Sequence, residues 1–270
     1  RQKNAAGRLH TTLHSELLGR LSSLHRARLL STSSSTAAGF INALPIAALG
    51  YRMTSREISL ALKLRLGLPV STPGTACAKC GTPVDALGHH AISCKKDGLV
   101  SKRHNRLVGQ LRRWVSFVPG VKTLLEQKMD ESLDSRPGDI WLTGLLEVAQ
   151  YFLDITVVNP CAASNLDRRS HEKPLAAALL AESLKVEKYA DERKAVAKHA
   201  VLEPVFYPIV VEAFGSVGPL ARKFFQKVSG CKSVAGSDPF LDNLRNLSQL
   251  LSVTLQKCNA AMIAQCNPCL

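Results

Sequence analysis

Leucines recur mostly three and four residues apart at the start of the chain (Leu9, Leu13, Leu17, Leu18, Leu21, Leu24). That is the spacing of one helical face, and it predicts a helix over residues 1–30. A Ser/Thr-rich linker follows from Ser31 to Thr36, and the apolar stretch 38–50 is broken by Pro45 and Gly50. Thr54 and Glu57 are spaced as a capping box, so a helix is expected from there to about Leu66, stopped by Gly67. After a break from Pro69 to Gly74, residues 99–117 read as an amphipathic helix with Leu107, Leu111 and Val115 on one face. Strand patterns cover Val121–Lys128, Asp139–Leu142 and Glu147–Val158. A long Ala/Leu/Glu/Lys-rich helix is expected over 171–199, a strand over Val205–Phe214, and helices over 217–229 and 239–264. Pro208 lacks the N–H that a central strand needs, which predicts an edge position for its strand.

The order helix, three strands, helix, strand, helix predicts an α/β (α+β) fold with a mixed central sheet flanked by helices. Four segments follow from the breaks: a helical linker over 1–70, a Cys/His module over 71–98, a sheet-bearing domain over 99–235 and a C-terminal helix over 236–270. No repeat at solenoid period competes with this reading.

The 270 residues are 46% hydrophobic, enough for at least one core. Lys and Arg number 35 against 21 Asp and Glu, a formal charge of +14. Such a charge favours an anionic partner, most simply DNA and secondarily RNA, through phosphate neutralisation. No apolar run approaches the ~20 residues that span a bilayer, so no membrane partner is expected. The N-terminus lacks a signal-peptide apolar region, which argues against secretion. The chain begins at Arg1 rather than Met and reads as a piece of a longer protein. Three of its eight cysteines cluster beside two histidines, which fits one metal site in a reducing compartment better than a disulfide framework.

That cluster is Cys77-x2-Cys80, then His89 or His90, then Cys94. Two thiolates two residues apart can hold one Zn2+ from a tight turn, and a later His and Cys complete a tetrahedron. His90-x3-Cys94 and His89-x4-Cys94 are both sterically reasonable. Four protein ligands leave no open position, so the zinc is expected to be structural. The terminal Cys266-x2-Cys269 has only Cys258 nearby in sequence and reads as incidental. The next segment carries Lys95, Lys96, Lys102, Arg103, Arg106, Arg112 and Arg113 against one acid, Asp97, with His104 and Asn105 as further donors. Lys102, Arg103, His104, Arg106, Arg112 and Arg113 are the expected phosphate contacts on the outer face of that helix.

Asp154 lies within an otherwise apolar run (Leu153, Ile155, Val157, Val158). An acid there is costly unless paired or metal-bound. Asp139, in Arg136-Pro137-Gly138-Asp139, is expected on a neighbouring strand, and Glu126 is a third candidate on an earlier element. Such carboxylates suit Mg2+, which polarises a phosphate and lowers the pKa of a water. Lys185 and Lys188 share one face of the following helix, and either can orient that water or stabilise developing charge. Glu182, three residues before Lys185, is placed to pair with it.

These motifs occur together and in order: the Cys/His cluster, Lys102-Arg103-His104-Asn105, Leu125-Glu126, Arg136-Pro137-Gly138-Asp139, Asp154-Ile155-Thr156-Val157, and Glu182, Lys185, Lys188-Tyr189. The region 77–200 resembles the restriction-like endonuclease found downstream of reverse transcriptase in site-specific non-LTR retrotransposons. Residues 40–70 resemble the linker that precedes its zinc module, and the stretch from Phe240 to Ala261 resembles the tail of related open reading frames. The resemblance implies a PD-(D/E)XK nuclease fold with a CCHC zinc module, Mg2+-dependent DNA nicking, and a nuclear setting. Two departures stand out: Gly138 separates Pro137 from Asp139, and Thr156 occupies the usual Lys position, consistent with a Lys displaced to the helix. No Tyr-x-Asp-Asp motif occurs, so the chain is not itself a reverse transcriptase. Two alternatives are a catalytically inactive nucleic-acid-binding remnant of the same element and a zinc-stapled protein scaffold, the latter expected to show a large exposed apolar patch.

Overall fold

The computed structural model describes residues 2–72, 74–126, 138–145, 150–191, 204–234 and 244–267. The expected features at 128, 136–137, 147–149, 192–199, 239–243 and Cys269 lie outside the described residues. The expected first helix is two: α1 (Gln2–Arg20) and α2 (Ser23–Thr32). After a short α3 (Gly39–Asn42), α4 (Ser55–Leu66) starts on the Thr54/Glu57 capping box and ends at Gly67 in the left-handed conformation, as its sequence predicts. The Cys/His module then leads into α5 (Leu99–Ser116).

Strands β1 (Lys122–Leu125), β2 (Ile140–Thr143) and β3 (Tyr151–Val158) form an antiparallel meander. A short α6 (Ala163–Leu166) and α7 (Ala176–Lys188) connect β3 to β4 (Val205–Glu212), which lies parallel to β3. The sheet order is β1-β2-β3-β4, so the strand carrying Pro208 is an edge strand. Helices α8 (Pro219–Val234) and α9 (Leu244–Cys266) complete the chain. The structure is thus mixed α/β, with a four-stranded open mixed sheet flanked by helices. No helix among the described residues is long and apolar enough to cross a membrane.

The two faces of the sheet differ in kind. Leu153 and Ile155 of β3, Ile140 and Leu142 of β2, and Ile209 and Val211 of β4 join the main core with Leu107 and Leu111 of α5, Phe224 of α8 and Leu251 of α9. Side chains alternate along a strand, so Phe152 and Asp154 share the opposite face. There Phe152 and Phe206 pack with Tyr189, just after α7. The buried positions of α7 are small or acidic (Ala177, Ala178 and Glu182), whereas Leu179 and Leu184 are 40% and 49% exposed. Glu182 does not pair with Lys185. Its Oε1 accepts from the amides of Leu220 and Ala221 at 3.0 and 3.4 Å, capping the first turn of α8.

A second core joins the module to both ends of the molecule: Leu60 and Leu64 of α4, Cys77, Ile92 and Cys94 of the module, and Ile263 and Cys266 of α9. Cys266 is therefore packed against the module, and its carbonyl accepts the Ala78 amide at 3.0 Å. Sequence spacing alone hides this, because the approach is made by a helix almost two hundred residues away.

Replacing Glu182 with Ala leaves the Leu220 and Ala221 amides buried without their acceptor and is expected to lower the unfolding free energy by about 1–3 kcal/mol in urea titration. Glu212 is 1% exposed, and burial pushes its pKa up. The native state therefore holds its proton more tightly than the unfolded chain does. The associated stability is present below the ordinary carboxylate pKa of about 4.3 and is lost as pH rises through the folded-state value. Glu212→Gln is expected to flatten that limb of a urea-midpoint-against-pH curve.

Candidate nuclease and metal sites

The register of the sheet builds a row of acids. Asp139 sits one residue before β2, not within it, and extends the ladder opposite Asp154: its amide donates to Leu153 O at 2.7 Å. Glu126 follows β1 and donates its amide to Asp139 O at 3.1 Å, which places it opposite Asp139. Glu126, Asp139 and Asp154 thus lie across three neighbouring strands, spaced about 4.8 Å apart. Like charges directly opposite each other destabilise a sheet, so this row needs cations. Glu126 also holds a left-handed backbone (φ 47°), a conformation that costs a non-glycine residue about 1–3 kcal/mol and gathers at functional sites.

Two cations come from the flanking helices. Lys185 Nζ of α7 donates to Asp154 Oδ2 at 2.6 Å. His104 Nε2 of α5 lies 3.1 Å from Asp139 Oδ1, and the Ile155 amide donates to Asp139 Oδ2 at 2.6 Å. Burial pushes the Asp154 pKa up against the pull of Lys185, and the nearby Asp139 charge pushes it further. The bond to Asp139 raises the His104 pKa despite burial. Glu126, Asp139, Asp154, Lys185 and His104 all line one cavity of about 450 Å³. Lys188 does not line it: its ammonium sits 4.8 Å above the Tyr189 ring and donates to the Tyr189 hydroxyl at 3.2 Å.

The six expected phosphate contacts divide. Arg103 is buried and donates to Ile92 O at 2.9 Å and Asn259 Oδ1 at 3.0 Å. Burial brings its pKa down to about 10. It is an internal link among α5, the module and α9 and also lines the acid cavity, so it does not sit on the outer face of the helix. The signal was present in sequence: Arg103 lies four residues before Leu107, on the apolar stripe of α5. Arg106 is exposed, with Nη1 3.8 Å from Cys258 Sγ, and Lys102 is exposed at the start of the helix. Arg112 and Arg113 line a second groove of about 550 Å³ that also reaches His104, Glu126 and Asp139. A further cavity of about 640 Å³, near Thr36, Arg222 and Gln249, has no acid or cysteine in its lining.

In the module, a turn through Gly81 (φ +75°) carries the amide of Gly81 onto Cys77 O, and the Cys77 amide donates to Thr82 O. This brings the two thiols of Cys77-x2-Cys80 together. The Asp85 carboxylate then holds the second half, accepting from the amides of Leu87, His89 and His90 at 2.7–3.0 Å. Asp85 was not singled out by sequence, because its role is to shape backbone. The ligand atoms of Cys77, Cys80, His90 and Cys94 all lie within 4.8 Å of one another and can hold a metal ion. Burial works against the Cys77 thiolate, but the amides of Lys79 and Cys80 and the His90 ring outweigh it and lower the thiol to about 6. His89 is instead half-buried and edge-on to Phe214, at 6.2 Å between ring centroids, and desolvation lowers its pKa. The structure thus selects His90 over His89 for the cluster.

Cobalt(II) titration should saturate the cluster at one ion per chain. His90→Ala should weaken that binding by more than tenfold and Asp85→Ala by about tenfold, the range for ligands and their supporting groups. His89→Ala should leave the stoichiometry and the metal–thiolate absorption intact. Comparison with known protein families finds no matching family model, and comparison with curated proteins finds no match.

Proposed function

We propose that the chain is a metal-dependent DNA endonuclease of the PD-(D/E)XK type, a nicking module derived from a non-LTR retrotransposon, acting in the nucleus. The observation that carries this reading is the row Glu126, Asp139 and Asp154 sharing one cavity with the Lys185 ammonium. Carboxylate oxygens are the ligand type a hard divalent cation takes, although among the described residues only the Cys/His ligands, and not these three acids, bring one donor atom each within 4.8 Å of one another. Carboxylates opposed across a sheet are tolerable when a cation lies between them, and oxygen ligands suit Mg2+. Asp139 and Asp154 would hold Mg2+, with Glu126 as a third ligand. When bound, Mg2+ supplies polarisation of the scissile phosphate and a water of lowered pKa.

The side chains themselves do the rest. The Ile155 amide and His104 fix the Asp139 carboxylate from two sides. Lys185, already drawn to Asp154, places an ammonium where negative charge develops on the phosphate. Zn2+ at Cys77, Cys80, His90 and Cys94 would close the module without an open position, a structural role. Three thiols and one imidazole match zinc better than a hard cation. The basic groups of α5 supply phosphate contacts that hold DNA without reading its sequence.

A non-catalytic nucleic-acid-binding module is the second reading. It draws on the engagement of both acids, Asp154 by Lys185 and Asp139 by His104 and Ile155. A plasmid assay separates the two. Supercoiled DNA is expected to be nicked with Mg2+ and not without it. Asp139→Asn and Asp154→Asn, which keep side-chain shape, should cost at least about a hundredfold in rate, and Lys185→Ala a similar factor. Lys188→Ala should remain near the parent rate. Salt-sensitive DNA binding with no Mg2+-dependent nicking in the parent protein would favour the binding module.

A further inference from the structure

We infer that the groove along α5 is the track of one DNA strand on its way to the acidic row; this assignment rests on the nuclease reading of that row. Asn105, Gly109, Arg112 and Ser116 recur at three- and four-residue spacing, so they form one face of α5, and all line the groove with Arg113. The groove and the acid cavity share His104, Asn105, Glu126 and Asp139, so the two are continuous. One end is cationic and the other carries the carboxylates. That polarity suits a polyanion whose distal phosphates meet arginine while one phosphate reaches a metal site.

Gly109 lies on the groove floor and, like the helical Gly7, Gly19 and Gly230, has open space where a Cβ would sit. It sits inside an eighteen-residue helix, where glycine costs stability relative to almost any other residue. A Cβ built there meets nothing within 4 Å, so no packing constraint within the protein demands glycine. Its φ is not in the left-handed region, so conformation does not demand it either. What glycine leaves is an open floor between Asn105 and Arg113, where a backbone can come close. Arg112 adds rigidity: its Nε donates to Thr123 Oγ1 of β1 at 3.1 Å, which anchors the guanidinium across the groove wall.

The length of the track follows from helix geometry. His104 and Arg112 are eight residues apart, about 12 Å along the axis at 1.5 Å per residue. One strand of a duplex carries a phosphate about every 3.4 Å of axis. The track therefore covers about three to four phosphates on one side of the cut. Lys102 lies on α5 but outside the groove lining, so it contributes only to the general field.

The test uses the full chain and a fluorescent DNA duplex, with anisotropy read in the absence of Mg2+. Gly109→Glu puts a carboxylate on the groove floor while improving helix propensity, so its melting temperature should not fall. It is expected to weaken binding about tenfold or more, and Arg112→Ala plus Arg113→Ala together should do the same with a shallower salt slope. Lys102→Glu, a charge change twice as large on the same helix, should cost markedly less. Unchanged affinity in Gly109→Glu overturns the track, as does an equal loss in Lys102→Glu or a parent protein that binds no DNA. The two readings fail separately. Binding lost in Gly109→Glu with no nicking by the parent leaves the track standing without the nuclease. Nicking by the parent with an unchanged KM in Gly109→Glu leaves the nuclease standing without the track.

Discussion

A carboxylate buried in the middle of a sheet governs the arrangement around it. Asp154 is 5% exposed, and an unpaired ion there costs on the order of several kcal/mol. The fold meets that constraint with Lys185, delivered from the helix that connects β3 to β4. The demand is visible in the helix itself. α7 turns Glu182, Lys185 and Tyr189 inward and leaves Leu179 and Leu184 in solvent. A helix serving only packing would do the reverse. The inward turn of Lys185 is thus set by the sheet acid it meets and that of Glu182 by the start of α8, and local rules are broken where a site is being built.

The same logic explains why the Cys/His module and the sheet hold together. α9 runs through both cores, from Leu247 and Leu251 beneath the sheet to Ile263 and Cys266 beside the module. Asn259, between those ends, accepts from Arg103 and donates to Ala213 O at 2.9 Å. Arg103 in turn holds Ile92 O of the module. One buried guanidinium therefore couples α5, the module and α9, while Asn259 extends the link to the residue after β4. Buried polar links of this kind set relative placement more than stability. Here the placement matters because α5 carries both Arg103 and His104. The residue that anchors the module is the neighbour of the residue that reaches Asp139.

What was legible in the sequence was local or periodic. The Thr54/Glu57 cap, the Pro208 edge strand and the position of Asp154 within an apolar run all follow from spacing and residue chemistry over a few residues. The Cys77-x2-Cys80 turn is of the same kind. The choices that sequence left open were settled by long-range packing. His90 faces the thiols because Asp85 shapes the turn, and His89 is taken by Phe214. Lys185 rather than Lys188 reaches the acids because Tyr189 holds the latter. Arg103 was misassigned to the surface because an arginine invites a phosphate partner, although its place on the Leu107–Leu111 stripe argued for burial. Cys266 reads as incidental in sequence but packs against the module, because its neighbours in space are distant in sequence.

The split of the basic segment changes what net charge means for this chain. A formal charge of +14 suggests a diffuse cationic surface, yet the cations of α5 are individually committed. Arg103 is internal, Arg106 turns toward Cys258, and His104 serves Asp139. Arg113 and Arg112, the latter held through its Nε by Thr123, line the far end of a groove that terminates in carboxylates, and Lys102 lies exposed outside it. A diffuse charge attracts nucleic acid from any direction, whereas a short cationic lead into an acidic row would, on the proposed reading, impose a direction on the strand. Because that lead is built on the helix whose neighbouring residues fix the module and reach Asp139, while the acids are carried by the sheet, a shift of α5 would break the His104–Asp139 contact and draw Arg112 and Arg113 away from the acids. On the proposed reading, grip and acids act together only while α5 and the sheet keep this placement.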